Sequence, residues 1–526
     1  MTLQHMYAVL LFGGSVLLAS ITGARVAHGA GLPSLLFFLA VGLILGEGGL
    51  GLDFDNARVA QAVGTGALAL ILIEGGMSTS WTDIRRLLAP AGVLATVGVV
   101  VSTAVTAAGV HLLLDMEWRL ALLLGAIVSS TDAAATFAVL RALPLPSRLR
   151  GLLEAEAGFN DAPTIILVLL FSGADAVPGP GHVAGSLAFQ LSAGAAFGPA
   201  IGLLGVLALR RIALPATGLY PLATVGFGVV AFSAAGLAGA SSIISAYLCG
   251  VVLGNARLPH RAATRSFAEG WGWLAQIGLF VMLGLLVDPG QLPDAVVGGV
   301  VAGLALLLVA RPVSVLACLS WFRFPPREQA FLSWAGLRGA VPIVLATFPI
   351  VSGLEGALDL LHVVFVLVVA FTLVQGPSLP TAARLLGVTQ PDQAREVQVE
   401  AAPLEKLGAE LLTLTIPPGS SLHGVEISEL RLPSPSVVSL IVRDGTTLVP
   451  GPTTTLAEGD EVLIVTTEAA REATERRLRA VGRRGRLAHW LGEYGDTEGP
   501  ASGEPAPPGA RPPGRAARSF RPPRRP

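Results

Sequence analysis

The sequence predicts an all-α polytopic membrane protein of about thirteen transmembrane helices, followed by a small α+β domain. Three observations predict it. Of 526 residues, 52% are hydrophobic and 13% charged, about half the charged share of a soluble domain, and the mean hydropathy is +0.68. Apolar stretches near the roughly 20 residues that cross a bilayer recur through residues 1–387. From residue 388 that pattern gives way to short apolar runs divided by turn residues.

The stretches run over 6–22, 31–48, 59–77, 88–113, 119–141, 149–172, 184–209, 216–237, 240–256, 270–287, 295–320, 328–351 and 358–386. The first lacks a basic flank before it and is followed by many more, so it reads as a retained span and not a cleaved signal. Arginines supply an independent count. Connections after odd-numbered spans carry Arg25; Arg85 and Arg86; Arg141, Arg148 and Arg150; Arg210 and Arg211; Arg257, Arg261 and Arg265; Arg323 and Arg327; and Arg384. Those after even-numbered spans carry only Arg58 and Arg119, with acids such as Asp53, Asp55, Asp115, Asp175, Asp288 and Asp359. A miscounted span would scramble this alternation. By the positive-inside rule the N-terminus is outside and the C-terminus cytosolic.

Residues 388–402 are polar and read as a linker. Within 403–482, the runs Leu411–Ile416, Val437–Val442 and Glu461–Thr466 alternate with period two, separated by Pro417-Pro418-Gly419, Asp444-Gly445 and Glu458-Gly459-Asp460. A helical stretch, Glu468–Val481, follows. The tail, 483–526, is rich in Pro, Gly and Arg and reads as disordered, able to touch anionic lipid. Net charge is −1, which gives no footprint for nucleic acid. Cys249 and Cys318 sit inside apolar runs and read as packing residues.

Ionisable groups inside a bilayer cost roughly 2.5–3.5 kcal/mol each on insertion scales, and here they cluster. Glu74 lies in span 3, Asp132 in span 5, Glu154, Glu156 and Asp161 in span 6, Arg311 in span 11 and Arg338 in span 12. Span 5 reads Ser129-Ser130-Thr131-Asp132; span 12 reads Gly336-Leu337-Arg338-Gly339-Ala340-Val341-Pro342. Both compositions interrupt helices. Being seven spans apart, they cross in opposite directions, and paired interrupted helices in inverted halves mark a midplane ion site. In span 6 Glu156 and Asn160 share a face, with Asp161 adjacent. An acid there can hold a proton or a small cation, never both, and that competition is an exchange mechanism.

The phrases "LILIEGGM", "SSTDAAATFAVL", "EAEAGFNDAP" and "GLRGAVPI" together resemble the bacterial NhaP-type branch of the cation/proton antiporter-1 family, across the whole membrane part. The phrases "PPGSSLHGVEISEL" and "VVSLIVRDGTTLVPGPTTTLAEGDEVLIV" resemble the C-terminal subdomain of potassium-conductance regulators, which some potassium/proton antiporters of that branch carry. The resemblance implies an NhaA-like fold with inverted repeats, in a bacterial inner membrane, as a homodimer. It implies K⁺ or Na⁺ and H⁺ as cargo, K⁺ favoured, and no cofactor beyond a small ligand on the regulatory domain. Asp161 would be the exchanging carboxylate, Thr131 would offer its carbonyl with Asp132 close by, Asn160 would hold the broken helix, and Glu74 would reach the ion through water. Glu156 and Arg338 would form a buried pair. An Asn-Asp motif implies one-for-one, electroneutral exchange. Two positions depart from the family: its proline after Thr-Asp is Ala133, and a serine ligand is Ala157, a missing oxygen that loosens the site toward K⁺.

Other classes fare worse. Thr224-Val225-Gly226-Phe227-Gly228 looks like a potassium filter but sits in a continuous apolar run without room for a pore helix. Lys406 is the only lysine and no glycine precedes it, and no H-E-x-x-H occurs, so neither a Walker loop nor a zinc-protease motif points to an enzyme.

Overall fold

The structure, a computed structural model, describes residues 3–29, 34–52, 54–132, 136, 143, 145–173, 178–389, 398–404 and 409–484. Two compact units divide the chain, Met1–Ala394 and Arg395–Pro526.

The described part of the first unit is helical. Its principal helices are α1 (Leu3–Gly29), α2 (Ser34–Leu45), α3 (Ala57–Ser78), α4 (Leu88–Leu114), α5 (Trp118–Ser129), α6 (Ser147–Phe159), α7 (Asp161–Ser172), α8 (Pro180–Arg211), α9 (Leu219–Leu237), α10 (Ser242–Asn255), α11 (Arg261–Leu285), α12 (Pro289–Phe322), α13 (Pro326–Trp334), α14 (Ala340–Val351) and α15 (Ala357–Leu385). Counting α6 and α7 as one, eight helices among the described residues are long and apolar enough to cross a membrane, with shorter apolar helices at Leu10–Arg25, α2, α5, α10 and α14. Local chemistry sets several ends. The Asn56 carboxamide accepts from the Val59 N–H at 3.1 Å at the head of α3. Pro180 opens α8 where its missing N–H costs nothing, and Arg210 and Arg211 close it at the negative end of the helix dipole.

Lipid gives apolar helices no hydrophobic reason to associate, so close contact at small residues does the packing. A Cβ on Gly76 of α3 would stand 2.3 Å from the Tyr247 carbonyl of α10, and one on Gly254 of α10 2.3 Å from that of Met77. Gly42 of α2 and Gly284 of α11 meet in the same way. Two helices carry π-helical turns, α4 at Leu94–Gly98 and α12 at Ala305–Ala310. The Ser314 hydroxyl of α12 donates to the Gly98 carbonyl at 2.9 Å, so the wide turn of one is served by the other.

Helix α9 runs unbroken through Thr224–Gly228, with the Thr224 hydroxyl bonded to the Tyr220 carbonyl one turn back at 2.8 Å. No filter loop forms there. Cys249 and Cys318 are both buried and free. Ala133, Arg141, Asp53, Asp175, Lys406, linker residues 390–397 and the tail beyond 484 lie outside the described residues.

The second unit is a five-stranded antiparallel sheet in the order β1-β2-β5-β3-β4. Its elements are β1 (Gln398–Leu404), β2 (Ala409–Thr415), α16 (Ile427–Leu430), β3 (Val437–Arg443), β4 (Thr446–Leu448), β5 (Glu461–Thr467) and α17 (Glu468–Arg484). Thus the sheet begins inside the stretch read as linker, because β1 pairs along its length with β2. Leu412, Leu414, Ile441, Val462 and Ile464 form the core with Leu478 of α17. At the β3–β4 hairpin Asp444 and Gly445 take φ of 49° and 74°, the paired positive φ of a two-residue turn matched to strand twist.

Burial opposes the charge on Asp460, but Arg443 donates to both its oxygens at 2.7 Å and the Ala457 N–H at 2.8 Å, and these hold its carboxyl below the ordinary range. A depressed carboxyl stabilises the fold above its unfolded pKa of about 3.9 and loses that contribution as pH falls through its folded value. Protection of the β2 and β5 amides of the full chain against hydrogen exchange, taken relative to the intrinsic rate at each pH, should therefore be flat from neutrality to about pH 5 and fall below about pH 4. In Arg443→Ala, protection should be lower at neutral pH and less sensitive to acid.

Candidate functional site

Helix α5 stops at Ser129 because Ser130 turns extended, with φ −63° and ψ 141°. Thr131 and Asp132 continue outside any helix. Across from them α13 ends at Trp334, residues 335–339 are non-helical, and α14 restarts at Ala340. The two interruptions meet. The Asp132 N–H donates to the Leu337 carbonyl at 2.9 Å, and the Ala340 N–H donates to Asp132 Oδ2 at 2.9 Å. Each break thus satisfies polar groups that the other leaves open, and the Asp132 carboxylate sits at the positive end of α14. Gly339 permits this approach, since a Cβ there would fall 1.6 Å from Asp132 Oδ2.

The joint between α6 and α7 lies against the first break. Asn160 Nδ2 donates to the Thr131 hydroxyl at 2.6 Å, and the Ser130 hydroxyl donates to Asp161 Oδ1 at 2.5 Å. Asp132, Asn160 and Asp161 are 4%, 1% and 2% exposed, so both carboxylates and the carboxamide are deep in the unit and not at its surface. Asn160 Oδ1 has no hydrogen-bond partner among the described residues. Beside Asp161 is a cavity of ≈ 10 Å³ lined by Asp132, Asp161, Gln276, Phe280, Ile71 and neighbours, about the room one water needs.

Of the residues singled out from sequence, Thr131, Asp132, Asn160 and Asp161 come together. Glu74 does not line that cavity. It is half-buried on α3 and lies over Gly272 of α11, where a Cβ would be 3.2 Å from Glu74 Cγ. The expected Glu156–Arg338 pair is a correction: Glu156 is held by Arg311, with Nη2 2.8 Å from Oε2 and Nη1 on Oε1. Arg338 is engaged elsewhere. Its Nε donates to the Val128 carbonyl at 3.0 Å and its Nη1 to the Gly336 carbonyl, capping chain ends that lack helical donors. Its own carbonyl accepts from the Thr372 hydroxyl at 2.7 Å. Sequence reasoning left Arg311 without a role and gave none to Ser130 or Gln276. Ser130 could have been found as the hydroxyl beside Thr131, whereas Gln276 has no motif around it.

Two interrupted helices, crossing in a bundle of apolar helices beside a buried carboxylate, define a multi-pass membrane antiporter. Comparison with known proteins agrees. The sodium/hydrogen exchanger transmembrane model matches residues 16–385, and the TrkA-C domain model matches 411–479. The K(+)/H(+) antiporter NhaP2 of Shewanella baltica (strain OS223) is 36% identical over 472 residues, covering 88% of this chain and 81% of that protein. The K(+)/H(+) antiporter NhaP of Alkalimonas amylolytica is 35% identical over 461 residues, 86% and 80% of the two chains. The sodium proton antiporter MjNhaP1 from Methanocaldococcus jannaschii superposes with a TM-score of 0.63 at 19% identity, over 73% of this chain and 99% of that one, a likeness of fold. This chain belongs to the sodium/hydrogen exchanger family and carries a TrkA-C domain.

Proposed function

We propose that the protein exchanges one monovalent cation, K⁺ in preference to Na⁺, for one H⁺, by competition for Asp161. The observation that carries this reading is the placement of Asp161: 2% exposed, bonded to the first break through Ser130, and facing a water-sized cavity with Asp132. An unneutralised carboxylate at such depth is costly, so a proton or an alkali ion must accompany it through the membrane. Asp132 and Asn160 position the pocket, and Thr131 offers a carbonyl from a break where helical donors are missing.

Charge balance supports a one-for-one count. The buried charged side chains described in the membrane unit are Asp132, Glu156 and Asp161 against Arg311 and Arg338. One H⁺ or one alkali ion brings either loaded state to neutrality. The preference for K⁺ rests on the absent oxygen at Ala157 and on the K(+)/H(+) antiporters to which the chain is 35–36% identical. Inverted repeats and thirteen spans are supported by π turns in both span 4 and span 11 and interruptions in both span 5 and span 12. An NhaA-like bundle in a bacterial inner membrane, N-terminus outside, homodimeric, with the second unit (roughly 403–482, after a linker and before the tail) as a cytosolic ligand-sensing regulator, completes the proposal.

The test is dissipation of a pH gradient in inverted vesicles, titrated separately with K⁺ and Na⁺. Saturable proton flux with either ion is expected, with K⁺ half-saturating at the lower concentration. Flux that stays linear in ion concentration would point to a channel, and a lower half-saturation for Na⁺ would reverse the assignment of cargo.

A further inference from the structure

The cavity beside Asp161 has two walls. One is built from the crossing breaks with α7 and α14; the other comes from α3 and α11. That second wall is apolar at Leu68, Ile71, Leu72 and Phe280 and carries one polar side chain, Gln276. Gln276 is half-buried, and no group among the described residues hydrogen-bonds its amide. An amide so placed forfeits interactions unless cargo or water takes them up.

Its neighbours on α11 are ordered. Gly272, Gln276 and Phe280 recur every fourth residue and share one face, about 6 Å apart along the axis. The Glu74 side chain lies over Gly272, where a Cβ would be 3.5 Å from Oε2. Along that face a carboxylate is therefore followed by an amide at the cavity and then by an aromatic ring that also lines it.

We propose that the Gln276 amide oxygen is a ligand of the transported cation, supplied from the wall opposite Asp161, and that it sets cation affinity separately from proton affinity. This rests on the exchange reading above. Carbonyl oxygens replace the hydration shell of a monovalent cation, and an amide oxygen does so without adding a charge to the balance. A proton on Asp161 is held by a covalent O–H bond and needs at most one acceptor, whereas a cation needs several oxygens, so the amide matters more to the cation.

Exchange is measured in inverted vesicles over a grid of K⁺ concentration and pH, for wild type, Gln276→Asn and Gln276→Leu, with assembly followed by size exclusion. The dependence of half-saturating K⁺ on pH yields a cation constant and a proton constant. Expected for Gln276→Leu is a cation constant weakened about tenfold, ~1.4 kcal/mol, with the proton constant shifted by much less. Gln276→Asn, which keeps the oxygen on a shorter stem, should fall between. A cation constant within twofold of wild type in Gln276→Leu, or equal shifts in both constants, would overturn the proposal. If Gln276→Leu fails to assemble, Gln276→Asn decides alone, and wild-type constants there overturn the ligand role. Wild-type vesicles with no K⁺- or Na⁺-dependent proton flux would instead sink the exchange reading itself.

Discussion

Asp161→Asn is expected to abolish exchange while leaving the protein assembled. An asparagine keeps the Oδ1 that accepts from the Ser130 hydroxyl, so the joint between α6 and α7 retains its tie to the first break. What it loses is the charge and the titratable oxygen. Neither H⁺ nor an alkali ion then has a site, and the flux in inverted vesicles should fall to that of empty ones with both K⁺ and Na⁺. A monodisperse variant with no flux is the expected result. Flux retained at the wild-type pH profile would remove Asp161 from the role, whatever the fold around it.

The second large effect concerns stability. Glu156 and Arg311 face each other bidentately at 2% and 5% exposure. Breaking such a pair strands a charge in the interior and costs about 3–5 kcal/mol, whereas replacing both partners with neutral groups is close to neutral. Glu156→Gln and Arg311→Met should each lower the thermal midpoint in detergent or prevent assembly. The double variant should recover most of that loss. Glu156→Gln combined with Arg338→Met should recover far less, because the Arg338 donors serve the Val128 and Gly336 carbonyls. A larger recovery with Arg338 than with Arg311 would contradict the pairing.

That contrast marks where sequence reading runs out. The breaks were legible because Gly336, Gly339 and Pro342, and the hydroxyls beside Asp132, are residues that interrupt helices. Asp161 was legible because an acid within a span, next to such a break, has few structural excuses. The partner of Glu156 was not, because two arginines on neighbouring spans offer the same charge. Which one reaches the carboxylate depends on helix phase, and α12 carries a π turn over Ala305–Ala310 immediately before Arg311. An extra residue per turn resets the facing of everything after it, and no hydropathy pattern records that. Likewise the distance from Glu74 to the cavity follows from how α3 seats on α11, which is set by packing and not by any motif. In the second unit the strands with alternating residues were visible. β1 was not, because Gln398–Leu404 has no sustained alternation and contains a proline, and its strand is evident only in the pairing with β2.

The hydrogen bonds that knot Asp132 to Leu337 and Ala340 have a mechanical implication. One backbone–backbone bond and one backbone–carboxylate bond join the two interruptions into a single cradle, with Asp161 fastened to its rim through Ser130. A shift of α14 is therefore passed through the Asp132 carboxylate to the first break, and from Ser130 to Asp161, so that no part of this frame moves without the carboxylate it holds.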